Sequence, residues 1–334
     1  MGAMGFHVCG YGGSGDHGWE ERLRGLCAML PEEPEVYSAC LEEDWRYGIG
    51  RVAGLHRGNP ESPENGDWCV SVRPGNPRRL RRYGCRPVLW GWSPGERLTG
   101  SALRELARYE HLAVTDRTSL NRLRHAGLKN LRLVPEPSFL VERRLRPLKG
   151  AFREDTVGIC LGAWQSAFEE TDGLLYRNYR RLIRYILRET RFQVALIPYC
   201  VKPRYDDRLF LRGLAEQFRG NDRVFIREDG DCRVLRGDLS LCHCCVGSAG
   251  AVAGWSCGIP GLCGGASPRA VGLSRELFGS WQETVVPVNA LKTEDDLTGR
   301  FRAFLQREDG HRHLLQTQIP QKRQQARQWH WGEM

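Results

Sequence analysis

The sequence predicts an α/β protein built from two doubly wound, Rossmann-like domains facing a cleft. Three observations predict it. Short apolar strands alternate with helical patterns along both halves of the chain. A glycine-rich turn, running from Gly10 to Gly18, joins the first strand to the first helix. The 334 residues, 41% of them hydrophobic, suffice for two separate cores. The expected divisions are a first domain over 1–140, a linker over 141–155, a second domain over 156–310 and a basic Gln-rich tail over 311–334.

Gly5–Cys9 reads as a buried strand, and Glu20–Leu30 as the first helix, with Leu23, Leu26, Cys27 and Leu30 at helical spacing. Val36–Ala39, Asp67–Val72, Arg86–Gly91, His111–Val114 and Leu131–Val134 supply five more strands. Leu103–Tyr109 and Asp116–Ala126 are helices, the second with Leu120 and Leu123 inward and Gly127 as its stop. The polar stretch Arg57–Gly66 is a surface loop. Pro135-Glu136-Pro137 closes this domain, and the Arg- and Lys-rich segment to Gly150 reads as the linker.

The second alternation has strands at Thr156–Leu161, Phe192–Ile197, Arg223–Ile226, Cys244–Val246 and Gly261–Cys263. Its helices are Tyr176–Glu189, Asp207–Phe218, Ala251–Cys257 and Arg269–Phe278, followed by an amphipathic helix over 292–306. The tail after Leu315 carries Trp329 and Trp331, and both packing on the first domain and mobility are open to it. Ligands of such sheets bind beyond the carboxyl ends of the strands, so the turn at 10–18 and the turn after Val246 are expected to line the site.

Composition narrows the function classes. No apolar run reaches membrane-spanning length and no basic-then-apolar leader is present, which leaves a cytoplasmic location as the expectation. Thirteen cysteines, an odd count without framework spacing, point to a reducing compartment. The net charge of +9 is mostly arginine, and Arg177, Arg180, Arg181, Arg184 and Arg188 stand opposite the apolar stripe Tyr179, Leu182, Ile183, Ile186 and Leu187 as a solvated face. No nucleic-acid motif accompanies them. Cys242-His243-Cys244-Cys245 has the period of a strand and no second ligand pair, so no metal is expected there.

The glycine turn has two readings from its residues. Gly10-x-Gly12-x-x-Gly15 matches the dinucleotide fingerprint, with Glu42, Glu43 and Asp44 further downstream than the usual acidic residue. The other reading is a tight β-to-α turn without a ligand. Within it His17 is either an acid–base group or a locally bonded first-turn residue, and Asp16 is a candidate cap. Glu20 either orients a sugar hydroxyl or complements the helix dipole. Asp206-Asp207 either holds hydroxyls or begins the helix that follows.

The chain resembles the polysaccharide pyruvyl transferase family. The resemblance rests on Gly13-Ser14-Gly15-Asp16-His17-Gly18-Trp19-Glu20, Val88-Leu89-Trp90-Gly91, Ser119-Leu120-x-x-Leu123 and Leu133-Val134-Pro135-Glu136-Pro137. It continues through Asn178-Tyr179, Ala195-Leu196-Ile197-Pro198, Cys257-Gly258-Ile259-Pro260, Gly265-x-Ser267 and Leu291-Lys292-x-Glu294-Asp295-Asp296-Leu297. What it implies is a glycosyltransferase-B-like fold and transfer of a pyruvyl ketal from phosphoenolpyruvate to a sugar of a cell-envelope polysaccharide. It implies His17 as catalytic residue. Implied substrate contacts are Gly13, Ser14, Gly15, Glu20, Asn76, Asn178, Tyr199, Ser248, Gly265, Ser267 and Arg269. No cofactor is implied. The partners are a small anionic donor and a saccharide acceptor, with the oligomeric state undetermined.

The chain departs from the family pattern where cations and proton donors are needed. Thr115 and Val271 stand where the family has arginine, and Tyr199 where it often has histidine. Gly247-Ser248-Ala249-Gly250-Ala251 replaces a run containing both arginine and histidine. The expectation is a transferase with a degraded donor site. The alternatives are a catalytically silent member that binds a glycan or a partner enzyme, and, from the fingerprint, a dinucleotide-binding oxidoreductase.

Overall fold

The computed structural model describes residues 5–58, 60, 66–75, 77–82, 84–94, 98–148, 150–153, 155–162, 173–264 and 267–334. They form two compact units. Unit 1 comprises Met1–Ser14, Trp19–Val141 and Gln321–Met334, and unit 2 comprises Gly15–Gly18 and Glu142–Pro320.

Unit 1 is a seven-stranded, all-parallel sheet with spatial order β3-β2-β1-β4-β5-β6-β7. Its strands are β1 (Phe6–Tyr11), β2 (Glu35–Ser38), β3 (Gly54–Arg57), β4 (Trp68–Ser71), β5 (Arg86–Trp90), β6 (His111–Val114) and β7 (Leu131–Leu133). The order reverses between β1 and β4, the doubly wound arrangement. Crossovers cover both faces, which is why Trp68, Cys69, Val70 and Ser71 of β4 are all buried rather than alternating. The helices are α1 (His17–Met29), α2 (Leu41–Arg46), α3 (Pro77–Arg82), α4 (Gly100–Leu106) and α5 (Arg117–His125). Asp116 starts α5 by accepting the Ser119 N–H at 2.7 Å, and Gly127, at φ +88, ends it.

Unit 2 repeats the plan with six parallel strands ordered β10-β9-β8-β11-β12-β13. These are β8 (Thr156–Cys160), β9 (Gln193–Leu196), β10 (Val224–Ile226), β11 (Cys244–Gly247), β12 (Gly261–Gly264) and β13 (Val285–Val286). Between them run α6 (Leu174–Glu189), α7 (Asp207–Glu216), α8 (Cys232–Leu239), α9 (Ala249–Ser256) and α10 (Pro268–Phe278), and α11 (Asp296–Leu305) follows β13. Here the order reverses between β8 and β11. Strand alternation along β11 sends Cys244 and Val246 into one core and Cys245 into another, which accounts for the cysteine run as packing.

Several elements differ from the sequence reading. β3 adds a seventh strand to unit 1, ending in the residue expected to open a loop. α8 lies between β10 and β11, and residues 308–328 are a single helix, α12 (Glu308–Gln328), that continues through Pro320. The expected linker begins with residues that pack on unit 2. Arg144 N–H donates to Arg233 O at 2.8 Å, and Arg227, ion-paired with Asp238 at 2.6 Å, also donates to Arg146 O. The tail divides at Gln321, and its end packs on unit 1. Trp331 lies 5.0 Å from Phe6 and 5.1 Å from Trp90, ring centroid to centroid.

Candidate functional site

In unit 1 the glycine turn begins at the carboxyl end of β1. Gly13 has φ +84, and a Cβ there would stand 2.6 Å from the Cys40 Cβ, so only glycine fits. Ser14 N–H donates to Asp44 Oδ1 at 2.6 Å, and the Ser14 hydroxyl pairs with the Tyr11 hydroxyl at 3.1 Å. Asp44 is fully buried, and its Oδ2 has no partner among the described residues. A side chain that the fingerprint reading offers to a ribose thus tethers the backbone of the turn itself. Glu20 is fully buried and ion-paired with Arg24 at 2.9 Å, which engages the carboxylate expected to meet a sugar. Next to it, the Trp19 ring has Arg22 at 4.7 Å and Arg73 at 4.4 Å, two cations on one indole.

Gly15–Gly18 belong to unit 2, where they meet the segment that follows β9. Gly15 O accepts the Val201 N–H at 2.6 Å, Asp16 bridges Cys200, and His17 N–H donates to Tyr199 O at 3.1 Å. His17 is completely buried, and its ring stands edge-on to Tyr199 with centroids 5.8 Å apart. Asp207 fastens this segment from below: its Oδ2 accepts Tyr199 N–H at 2.9 Å and Cys200 N–H at 2.7 Å. Asp206 performs the capping, accepting Arg208 N–H at 2.9 Å. Burial pushes the Cys200 thiol up to about 11.

The start of α9 completes the group. A Cβ at Gly18 would touch the Ala249 Cβ at 3.9 Å. Gly250 lies flat on Cys160, with no room for a methyl group against its Sγ and Cβ, and a Cβ there would be 3.7 Å from Tyr199. The carboxyl ends of β8, β9 and β11 therefore converge at the point where the strand order reverses. Ser248 immediately precedes α9 and forms no capping bond to it. The group offers an imidazole, two hydroxyls and a helix N-terminus, whose dipole favours an anion.

Tyr179 on α6 adds a hydroxyl that the sequence reading did not single out. It is fully buried, has no hydrogen-bond partner among the described residues, and would lie 2.8 Å from a Cβ at Gly264, the last residue of β12. Burial, with the neighbouring Cys263 and Cys160 thiols, raises its pKa. Its neighbour Asn178 has a different occupation. The amide donates to Leu174 O at 2.9 Å and Thr293 O at 2.8 Å and accepts the Leu297 N–H at 2.9 Å, joining α6 to α11. Ser267 is exposed and caps α10 through the Ala270 N–H at 3.1 Å. Arg269 is half-buried; its charge draws down the Cys263 thiol, which burial lifts to about 12. Asn76 and Gly265 lie outside the described residues. Among the described residues no three His, Cys, Asp or Glu side chains converge to hold a metal, and no helix is long and apolar enough to cross a membrane.

Two parallel-sheet α/β units of this kind define a glycosyltransferase-B-type fold, and comparison with solved structures agrees. The chain is similar to the S. aureus MnaA structure with UDP, at TM-score 0.66 and 8% identity, over 93% of this chain and 91% of that one. It is similar to a crystal structure of UDP-N-acetylglucosamine 2-epimerase, at TM-score 0.60 and 11% identity, over 94% of this chain and 91% of that one. Anabaena HepE in complex with UDP matches at TM-score 0.59 and 9% identity, over 98% of each chain. No protein-family model and no curated protein matches the sequence.

Proposed function

We propose that the protein is a carbohydrate-modifying transferase, a divergent member of the polysaccharide pyruvyl transferase family, that holds a small phosphate-bearing donor in unit 2 and uses a saccharide hydroxyl as acceptor. The observation that carries this reading is the membership of Gly15–Gly18 in unit 2. Half of the motif on which the family resemblance rests thereby stands beside Tyr199 and the start of α9, where the strand order reverses. The donor in this reading is phosphoenolpyruvate. A sugar oxygen attacks its C2, a proton is delivered to the enol methylene, and a second sugar oxygen then displaces phosphate as the ketal closes. His17 is the proton carrier, enclosed away from water. The N–H groups at the start of α9 and the Tyr199 hydroxyl receive the phosphate, in place of the missing family cations. The cytoplasmic face of the cell envelope is where such an enzyme meets its acceptor.

A second reading, sugar-nucleotide chemistry, is favoured by the UDP held in the MnaA and HepE structures. Thermal-shift titration separates the two, since a ligand of the native state stabilises by RT ln(1 + [L]/Kd), about 2.7 kcal/mol at a hundredfold excess over Kd. The pyruvyl reading expects a rise in Tm with phosphoenolpyruvate that His17→Ala and Tyr199→Phe diminish. A rise with UDP and UDP-sugars alone replaces it by the second reading. Stabilisation by neither, together with binding of an envelope glycan, identifies a catalytically silent relative.

A further inference from the structure

The connection from β4 to β5 in unit 1 carries Arg73 and then α3, Pro77-Arg78-Arg79-Leu80-Arg81-Arg82. No Asp, Glu or Lys occurs between positions 73 and 82. At about 100° per residue, the four helix arginines occupy an arc of roughly 160°, opposite Pro77 and Leu80. The structure agrees with that arc: Pro77 is buried, Leu80 half-buried, and Arg78, Arg79, Arg81 and Arg82 are exposed.

Some arginines elsewhere are neutralised by acids, such as the exposed Arg212 with Glu228 and the half-buried Arg86 with Glu110 and Arg177 with Glu294. Among the described residues the side chains of Arg78, Arg81 and Arg82 form no ion pair, and Arg73 has only the Trp19 ring. The base of the face is fixed, because Gly75 N–H donates to the Tyr109 hydroxyl at 2.8 Å and Tyr109 is buried. Like charges crowded on one short helix repel one another, so the face is at its most stable with a polyanion laid across it.

We infer that this arginine face, with Arg73 at its edge, is a docking surface for an acidic saccharide chain. The guanidinium fork matches carboxylates bidentately in a way an ammonium does not, and every cation here is a guanidinium. Arg78 and Arg82, at i and i+4, stand about 5–6 Å apart at Cβ, close to the length of one pyranose ring. Among the described residues, none of the exposed large apolar side chains belongs to this segment, so it lacks the wedge with which interfacial helices enter lipid. Positions 73 to 82 also hold no Phe, Trp or Tyr to serve as the platforms on which single-stranded nucleic acids stack. The inference goes beyond the proposed function and does not need its donor.

The test measures binding of the full chain to oligogalacturonate, to neutral maltooligosaccharide and to phosphatidylglycerol vesicles at low and physiological salt. Oligogalacturonate alone is expected to bind, more weakly at the higher salt. The triple variant Arg78→Glu, Arg81→Glu, Arg82→Glu should lose at least tenfold in affinity, while the corresponding lysine triple retains part of it. The donor-induced Tm shift should be the same in all three proteins, which keeps this outcome separate from that of the proposed function. Equal oligogalacturonate binding by the charge-reversed variant overturns the inference, as does binding of vesicles without binding of oligogalacturonate. Should the variant fail to fold, phenylglyoxal labelling of the unaltered protein decides. Protection of Arg78, Arg81 and Arg82 by oligogalacturonate upholds the surface; their unchanged labelling refutes it.

Discussion

His111 opens β6 with its ring largely enclosed, and its Nδ1 has no partner among the described residues. Burial first, and then the Arg132 charge, hold its pKa below the usual histidine range, with Glu110 opposing them. A base with a depressed native pKa contributes stability that is present above about pH 6.5, its ordinary value, and is lost as pH falls through the depressed one. The urea midpoint of unit 1 should therefore decline between pH 7.5 and pH 5, with a slope from this group no steeper than one proton, about 1.4 kcal/mol per pH unit. His111→Gln should flatten that decline; an unaltered slope would remove the residue from the acid response. Single residues also mark the limit of what the sequence discloses about the site. The glycine turn was legible because only glycine tolerates such backbone. The partners of polar side chains were not, since Asn178 and Asp44 each bond to groups distant in sequence. Tyr179 was legible as a stripe and motif residue, but its hydroxyl gave no signal, because it differs from a core phenyl ring only in what surrounds it.

The approach of α9 to β8 is set by Gly250, whose missing side chain is replaced by Cys160. Gly250→Ala should cost about 1–3 kcal/mol through overpacking, measured by chemical denaturation. Combining it with Cys160→Gly should recover part of that loss, giving a coupling energy beyond 0.5 kcal/mol, whereas strict additivity would show that the two do not share the space. Elements with a clear period were legible: α6 shows its apolar stripe, and β8 and β9 their buried runs. Those that escaped lack one. In α8 every residue but Arg233 is buried, so its faces do not differ. β3, Gly-Leu-His-Arg, is a half-exposed edge. In α3 a single leucine is too little to reveal a helix, and in α12 Pro320 and the glutamines conceal one.

At the scale of the molecule, each unit has its own sheet and core, and unit 1 is completed by residues from beyond unit 2 in the chain. Trp331 packs among Phe6, Trp68 and Trp90, each with ring centroids within 5.8 Å of its own. Trp331→Ala should cost about 3–5 kcal/mol and lower the unfolding temperature of unit 1. The Trp255 environment in unit 2 should be unchanged, as read by hydrogen exchange across α9. Equal loss in both units would mean that they unfold as one. On the ribosome the same arrangement imposes a schedule. The amino-terminal sheet emerges first yet lacks its closing indole until about two hundred further residues have been added. The later-made sheet therefore finds all but four of its residues newly translated together, and reaches its finished form while its predecessor is still waiting for its last piece.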